Sequence, residues 1–192
     1  MTLLVIASGN PHKVAELASM LAATGLEVCQ QPEGLEVEET GQTYAANARL
    51  KAETVASLTG TWALADDSGL EVDALDGAPG IFSARYAPTD PERIHRLLQA
   101  LGQQPYRSAR FITAMALADP SGHTVLEAEG VCHGEILARP DGQGPGYDPV
   151  FHVRQAGSSY ARMGEQLKAR LGSRGKAARL LAPGLRQLLG LA

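Results

Sequence analysis

Two adjacent carboxylates, Asp66 and Asp67, follow the apolar run Trp62-Ala63-Leu64-Ala65 and precede Ser68-Gly69. Acids at the end of an apolar strand lie where open α/β sheets place their ligand sites, with the glycine permitting a sharp exit. A hard divalent cation such as Mg²⁺ suits them, because it takes one or two carboxylates and fills its remaining positions with phosphate oxygens and water. A further acid from elsewhere, Glu38 or Glu39, would complete such a site; the alternative is that Asp66 only closes a turn through its side chain. Near the N-terminus, Ser8-Gly9-Asn10-Pro11-His12-Lys13 falls between a strand and a helix start. Backbone N–H groups and the helix dipole favour an anion there, and Lys13 adds a point charge. The spacing matches neither GxxxxGK[ST] nor GxGxxG, and an ordinary turn with a solvated lysine is the competing explanation. Asn47 and Lys51 are four apart, a spacing that lets them share a helix face, and a solvated helix face explains the lysine equally well. Lys168 and Arg174 straddle a helix end, close enough to converge on an anion or a base edge. Tyr147-Asp148 sits in the loop Gly142–Pro149 and offers a ring and a carboxylate, able to stack on a base and accept from its N–H groups.

The elements that must position these residues follow from periodicity and breakers. Leu3 to Ala7 reads as a buried strand ending at Ser8-Gly9-Asn10-Pro11, and Val14, Leu17, Ala18 and Leu21 give a helix over His12 to Ala23, closed by Gly25. A short strand over Leu26 to Gln30, a helix over Thr43 to Leu58 and a strand over Thr61 to Ala65 come next. The breakers between Asp73 and Pro91 allow no long element, and a helix covers Glu92 to Leu101. Arg110 to Ala118 and Thr124 to Val131 form a hairpin about Asp119-Pro120-Ser121-Gly122, with Glu135 to Ala138 continuing the sheet. Helices over Tyr160 to Arg170 and Lys176 to Leu189 finish the chain. The order βαβαβ, hairpin, helices implies an α/β fold with a mixed sheet.

The 192 residues suit one domain, or two small lobes sharing a core. Hydrophobic residues make up 44% and charged residues 20%, as in ordinary globular proteins, and disorder and fibrous repeats are excluded. A net charge of −4 lacks the positive field that duplex binding requires, so nucleic acid is not expected as a partner. Cys29 and Cys132 have no metal or disulfide spacing and read as small hydrophobes in a reducing compartment. No run approaches the roughly 18–20 apolar residues of a membrane span, and Met1-Thr2-Leu3-Leu4-Val5-Ile6 lacks a basic leader, so the expected location is the cytoplasm.

Together these stretches resemble the inosine triphosphate pyrophosphatase family over nearly the whole chain. The resemblance rests on Ile6-Ala7-Ser8-Gly9-Asn10 with Lys13 and Glu16, on Glu39-Thr40-Gly41 with Thr43, Asn47-Ala48 and Lys51-Ala52, and on Ala65-Asp66-Asp67-Ser68-Gly69-Leu70. It extends to Gly77-Ala78-Pro79-Gly80 with Ser83-Ala84-Arg85-Tyr86 and to Gly144-Pro145-Gly146-Tyr147-Asp148-Pro149-Val150-Phe151. It implies an elongated mixed sheet flanked by helices, two lobes with a central nucleotide cleft, a homodimer, and Mg²⁺-dependent hydrolysis of deaminated purine nucleoside triphosphates such as ITP, dITP and XTP. Carried over by position, Ser8 to Lys13 bind the triphosphate, Glu39 and Asp67 hold Mg²⁺, Asp67 also acts as general base, and Ser68 touches the substrate. Pro145, Gly146, Tyr147 and Asp148 border the base, Lys168 reaches phosphate or base, and Ser173 and Arg174 complete base recognition. The chain departs from the family in three places: Pro145 replaces an aromatic, Gly172-Ser173 precedes Arg174 where Ser-His is usual, and Ala46 replaces a glutamate. Two rival functions remain: a pyrophosphatase for other modified nucleotides, and a nucleotide-binding sensor without catalysis. Glu39, Asp67 and Lys13 argue against the sensor, since binding alone has less need of a metal-held acid.

Overall fold

A computed structural model describes residues 2–190. It is a mixed, open eight-stranded sheet with five α-helices, and the strands pair in the order β2-β1-β3-β5-β6-β7-β8 with β4 added on β3. The strands are β1 (Leu3–Ile6), β2 (Glu27–Gln30), β3 (Trp62–Val72), β4 (Pro79–Gly80), β5 (Ser108–Ala118), β6 (Thr124–Ile136), β7 (Phe151–Val153) and β8 (Ser158–Ser159). The helices are α1 (Pro11–Leu21), α2 (Tyr44–Thr59), α3 (Asp90–Leu101), α4 (Glu165–Leu171) and α5 (Ser173–Leu189). β1 runs parallel to β2 and β3, whereas β4 on β3, β7 on β6 and β8 on β7 are antiparallel.

The chain divides into two compact units. The first comprises the chain up to Asp67, Thr113–Gly130, and the chain from Arg174 onward. Its core joins Leu4 and Ile6 of β1, Leu17 and Leu21 of α1, Leu64 of β3, Met115 and Leu117 of β5, and Leu181 and Leu185 of α5. The second comprises Ser68–Ile112 and Val131–Ser173, with a core of Leu70, Val72, Leu97, Tyr147, Val150 and Phe151. There Phe151 meets Phe111 edge to face, ring centroids 4.7 Å apart, and Tyr160 joins them at 5.7 and 5.9 Å.

Local chemistry explains most element ends. Asn10 caps α1 with Pro11 in the first turn, and the helix tightens into a single 3₁₀ turn over Ala22–Thr24 before Gly25. Thr43 caps α2, and Gly60 ends it at φ 62°, a left-handed conformation that glycine adopts without strain. A reciprocal Thr89/Glu92 capping box starts α3 two residues before the position expected from breakers. The helix expected from Tyr160 begins instead at Glu165, after a 3₁₀ turn over Tyr160–Arg162, and α5 starts at Ser173 rather than Lys176.

The main departure is β3. The strand was expected to stop at Ala65 and turn out at Gly69, but it continues to Val72. Leu70 and Val72 are fully buried in the core of the second unit, and β4 pairs with the strand there, so apolar burial and ladder bonds outweigh the turn tendency of Asp-Asp-Ser-Gly. The acids therefore lie within a strand, and Asp66 closes no turn. The hairpin's second strand likewise runs unbroken from Thr124 to Ile136.

Candidate active site

Because successive side chains of a strand point to opposite faces, Asp66 and Asp67 enter different surroundings although they are neighbours. Asp66 faces α1 and the start of α5. Lys13 Nζ lies 3.4 Å from both of its carboxylate oxygens, and Arg174 donates from Nε and Nη2 to Oδ2 at 3.1 and 3.0 Å. The third guanidinium nitrogen of Arg174, Nη1, donates to Glu16 at 2.6 Å. Asp67 faces α2. It accepts from Asn47 Nδ2 at 3.2 Å and lies 3.3 Å from Lys51 Nζ, which also donates to Glu39 at 2.8 Å. Asn47 and Lys51 thus share a face of α2, as their spacing requires.

These contacts drive the two acids in opposite directions. Burial alone would raise the pKa of Asp66, but the charges of Lys13, Arg174 and Lys51 and the bonds from Arg174 hold its carboxyl well below the usual range. For Asp67 burial prevails: its pKa is raised, with Glu39 adding to the rise while Lys51 and Asn47 oppose it. Burial pulls the Lys51 ammonium down, but Asp67, Asp66 and Glu39 together raise it, so it is firmly protonated. Adjacent acids whose environments separate their protonation behaviour are a mark of acid–base chemistry. Asp66 is thereby held as an anion by its cationic partners, whereas Asp67 is the more basic of the two carboxylates.

The loop before α2 is tied into this arrangement. Asn47 is fully buried, and its Oδ1 accepts from the Gly41 N–H at 2.8 Å while its amide donates to Asp67. One amide therefore fixes both the strand acid and the turn that follows Glu39. A Cβ at Gly41 would stand 2.6 Å from Asn47 Oδ1 and 2.8 Å from the Ala46 Cβ, so glycine is required there by close approach.

Three cations, Lys13, Lys51 and Arg174, face four carboxylates, Glu16, Glu39, Asp66 and Asp67. When all are ionised one negative charge is in excess, a balance suited to a further cation. Glu39 and Asp67 are hard oxygen donors brought to one ammonium, and they fit a Mg²⁺ ion that takes two carboxylates and leaves its other positions to phosphate and water. Asp66 is engaged instead by Lys13 and Arg174, so the two carboxylates that one ammonium joins are Glu39 and Asp67. Among the described residues no group of three or more His, Cys, Asp or Glu side chains is arranged to hold a metal.

At the start of α1, Asn10 Oδ1 accepts from the backbone N–H groups of His12 at 2.9 Å and Lys13 at 3.4 Å, and Ser8 Oγ accepts from the Asn10 N–H at 3.1 Å. Gly9, Asn10, Pro11 and His12 are exposed. An anion approaching this turn meets a helix end whose own side chains hold its N–H groups.

In the second unit, Lys168 Nζ donates to Asp148 Oδ2 at 2.7 Å and lies 5.1 Å from the Tyr160 ring centroid. The Gly146 N–H donates to Asp90 at 2.7 Å. Tyr147 requires a correction: its ring, expected to offer a stacking face, is 4% exposed in the core, and its hydroxyl donates to the Ser83 carbonyl at 2.9 Å. The ring anchors the loop, and the neighbouring Gly146 and Asp148 are only half-buried. Ser173 is buried and Pro145 exposed. Gly172 is required by packing, since a Cβ would collide with the Tyr160 hydroxyl and stand 2.5 Å from the Lys168 carbonyl. Arg174, which the resemblance assigns to base recognition, donates from each of its guanidinium nitrogens to Asp66 or Glu16. Asn47 and Lys51 were legible as helix neighbours and as part of the resemblance, without a role, and Glu16 only through the resemblance.

A mixed open sheet whose strand β3 carries one silenced and one basic carboxylate, with a lysine at a helix entry and an acid–lysine–acid bridge, defines an α/β protein with a charged cluster on that strand. The chain belongs to the Ham1 family, whose model matches residues 4–183. A dITP/XTP pyrophosphatase of Parasynechococcus marenigrum (strain WH8102) is 53% identical over 190 residues, spanning 98% of this chain and 97% of that one. Another dITP/XTP pyrophosphatase, from a Nostoc species, is 50% identical over 188 residues, spanning 97% and 96%. The solved structure of a HAM1 protein from Coxiella burnetii is similar with a TM-score of 0.89 at 40% identity, covering 97% of this chain and all of that one.

Proposed function

We propose that this protein is a nucleoside triphosphate pyrophosphatase that hydrolyses deaminated purine nucleotides, ITP, dITP and XTP, to the monophosphate and pyrophosphate with the aid of Mg²⁺. The observation that carries this reading is the division of labour between Asp66 and Asp67. The chain's relatives named dITP/XTP pyrophosphatase support the substrate class.

In-line attack of water at the α-phosphorus needs a base for the water proton and positive charge for the triphosphate. Asp67 is the base: burial raises its pKa, which strengthens the carboxylate as a proton acceptor. Water adds its oxygen to the α-phosphorus, the α–β bridging P–O bond breaks, pyrophosphate leaves, and the proton passes to Asp67 and then to solvent. Lys13 at the entry of α1 and Lys51 on α2 meet phosphoryl oxygens, with Ser8 and the Gly9-Asn10-Pro11-His12 turn orienting the chain of phosphates. Mg²⁺ held by Glu39 and Asp67 supplies Lewis-acid neutralisation of phosphoryl charge. Ser68, next to the base on β3, is assigned to substrate contact.

The base end is assigned to Gly146, Asp148 and Lys168. A lysine held by a carboxylate is a donor for the 6-carbonyl of hypoxanthine or xanthine, whereas the 6-amino group of adenine would leave that donor unmatched. Removal of such nucleotides before they enter nucleic acid is the proposed role, in the cytoplasm and as a homodimer; no described helix is long and apolar enough to cross a membrane. The test is incubation with ITP, dITP, XTP, GTP and ATP with and without Mg²⁺, measuring pyrophosphate and orthophosphate separately. Pyrophosphate from the first three is expected; orthophosphate, or equal rates on ATP, contradicts the reading.

A further inference from the structure

We propose that Lys51 is a place-holder cation: its ammonium binds Glu39 and Asp67 together until a divalent metal takes those carboxylates, and is then released to a phosphoryl oxygen. The inference rests on the metal assignment above and adds a residue that exchanges partners.

Lys51 Nζ donates to Glu39 Oε1 at 2.8 Å and lies 3.3 Å from Asp67 Oδ1, with only 13% of its side chain exposed. One ammonium thus joins two acids that lie 12 and 16 residues away in sequence, and without it they would face one another as like charges. A metal ion ligates carboxylate oxygens at about 2.0–2.1 Å, a distance that leaves no room for an ammonium on the same lone pairs. A metal that took Glu39 Oε1 and Asp67 Oδ1 would displace the ammonium from them, and one on the other oxygens would still set two cations side by side between the same two carboxylates.

Exchange requires no backbone movement. Ala48, Ala52, Val55 and Ala56 bury the inner face of α2 and fix the Lys51 Cα, while four rotatable methylenes let the ammonium swing. A displaced ammonium beside a bound metal needs an anion, and a triphosphate is the anion the site is built to take. Metal and polyphosphate should accordingly bind cooperatively, since each makes room for the other. Lys13 is the natural control, because its ammonium engages Asp66 and neither Glu39 nor Asp67 by hydrogen bond.

The test is calorimetric titration of Mn²⁺ into nucleotide-free wild type, Lys51→Gln, Lys51→Met and Lys13→Gln, with circular dichroism confirming the fold of each. Both Lys51 variants are expected to bind Mn²⁺ at least about tenfold more tightly than wild type, against less than about threefold for Lys13→Gln, where only a more distant charge is lost. Inorganic tripolyphosphate should tighten Mn²⁺ binding in wild type more than in the Lys51 variants. Equal or weaker binding in both Lys51 variants overturns the inference, as does a gain no larger than that of Lys13→Gln or no binding in any form. The activity reading stands or falls separately, on pyrophosphate release by the wild type.

Discussion

Replacing Asp66 by asparagine tests whether the silenced acid holds the first unit together. Asparagine preserves volume and can still accept one bond, but it removes the charge that both Lys13 and Arg174 address. Breaking a buried ion pair by removing one partner costs about 3–5 kcal/mol, because the other charge is left buried. Here the cost is softened: Arg174 retains Glu16, and the Lys13 side chain is 30% exposed and can turn to water. A loss of about 2–3 kcal/mol is expected, roughly 4–12 °C in Tm for a protein of this size. Urea unfolding at pH 7 followed by circular dichroism measures it, with an unchanged m value identifying a stability effect. The pH dependence has a definite sign. The folded pKa of Asp66 lies below its unfolded value of about 3.9, so its contribution is complete above that pH and is lost as pH falls toward the folded value. The stability gap between wild type and variant should therefore narrow below about pH 4. A gap under about 1 kcal/mol at pH 7, or one that widens on acidification, would refute the argument.

Lys13→Ala should lower kcat/KM by a similar factor for ITP, XTP and ATP, about tenfold or more, if its proposed role is phosphate contact; a loss confined to one base would move Lys13 to the base pocket. Arg174→Ala should reduce stability by about 1–3 kcal/mol and lower turnover on every nucleotide while largely preserving the ITP to ATP ratio, since its donors serve Asp66 and Glu16; collapse of that ratio would return Arg174 to base recognition. Gly41→Ala should displace Asn47 and cost at least about tenfold in kcat with a smaller change in thermal stability, read by steady-state kinetics beside a melting curve.

What the sequence disclosed depended on how local the controlling interaction is. β1, α1 and α2 were legible because continuous apolar runs, helical spacing and Asn10, Thr43 and Gly60 at their ends act within a few residues. β3 beyond Ala65 was not, because its continuation depends on a core and a partner strand supplied from elsewhere. β7 and β8, of three and two residues, carry too little periodicity to be seen. In the site, the Asp66-Asp67 pair and Lys13 stood out by type and position, whereas Glu39 was separated from Glu38 only by the family resemblance. The opposite fates of Asp66 and Asp67 follow from strand alternation, which the expected turn at Gly69 concealed. Tyr147 was misread because the loop's glycines suggest exposure, whereas a buried hydrogen bond to Ser83 holds the ring inside. Lys51 resembled any lysine on a solvated helix face until Glu39 and Asp67 were brought to it.

A single turnover of ITP in H₂¹⁸O with Mg²⁺, analysed by mass spectrometry of both products, tests the central claim most directly. Attack at the α-phosphorus by a water that Asp67 deprotonates puts one ¹⁸O atom in inosine monophosphate and none in pyrophosphate. Asp67→Asn should slow that turnover by about 10² or more. Label in pyrophosphate, release of orthophosphate, or an Asp67→Asn enzyme within about threefold of wild type would contradict the account.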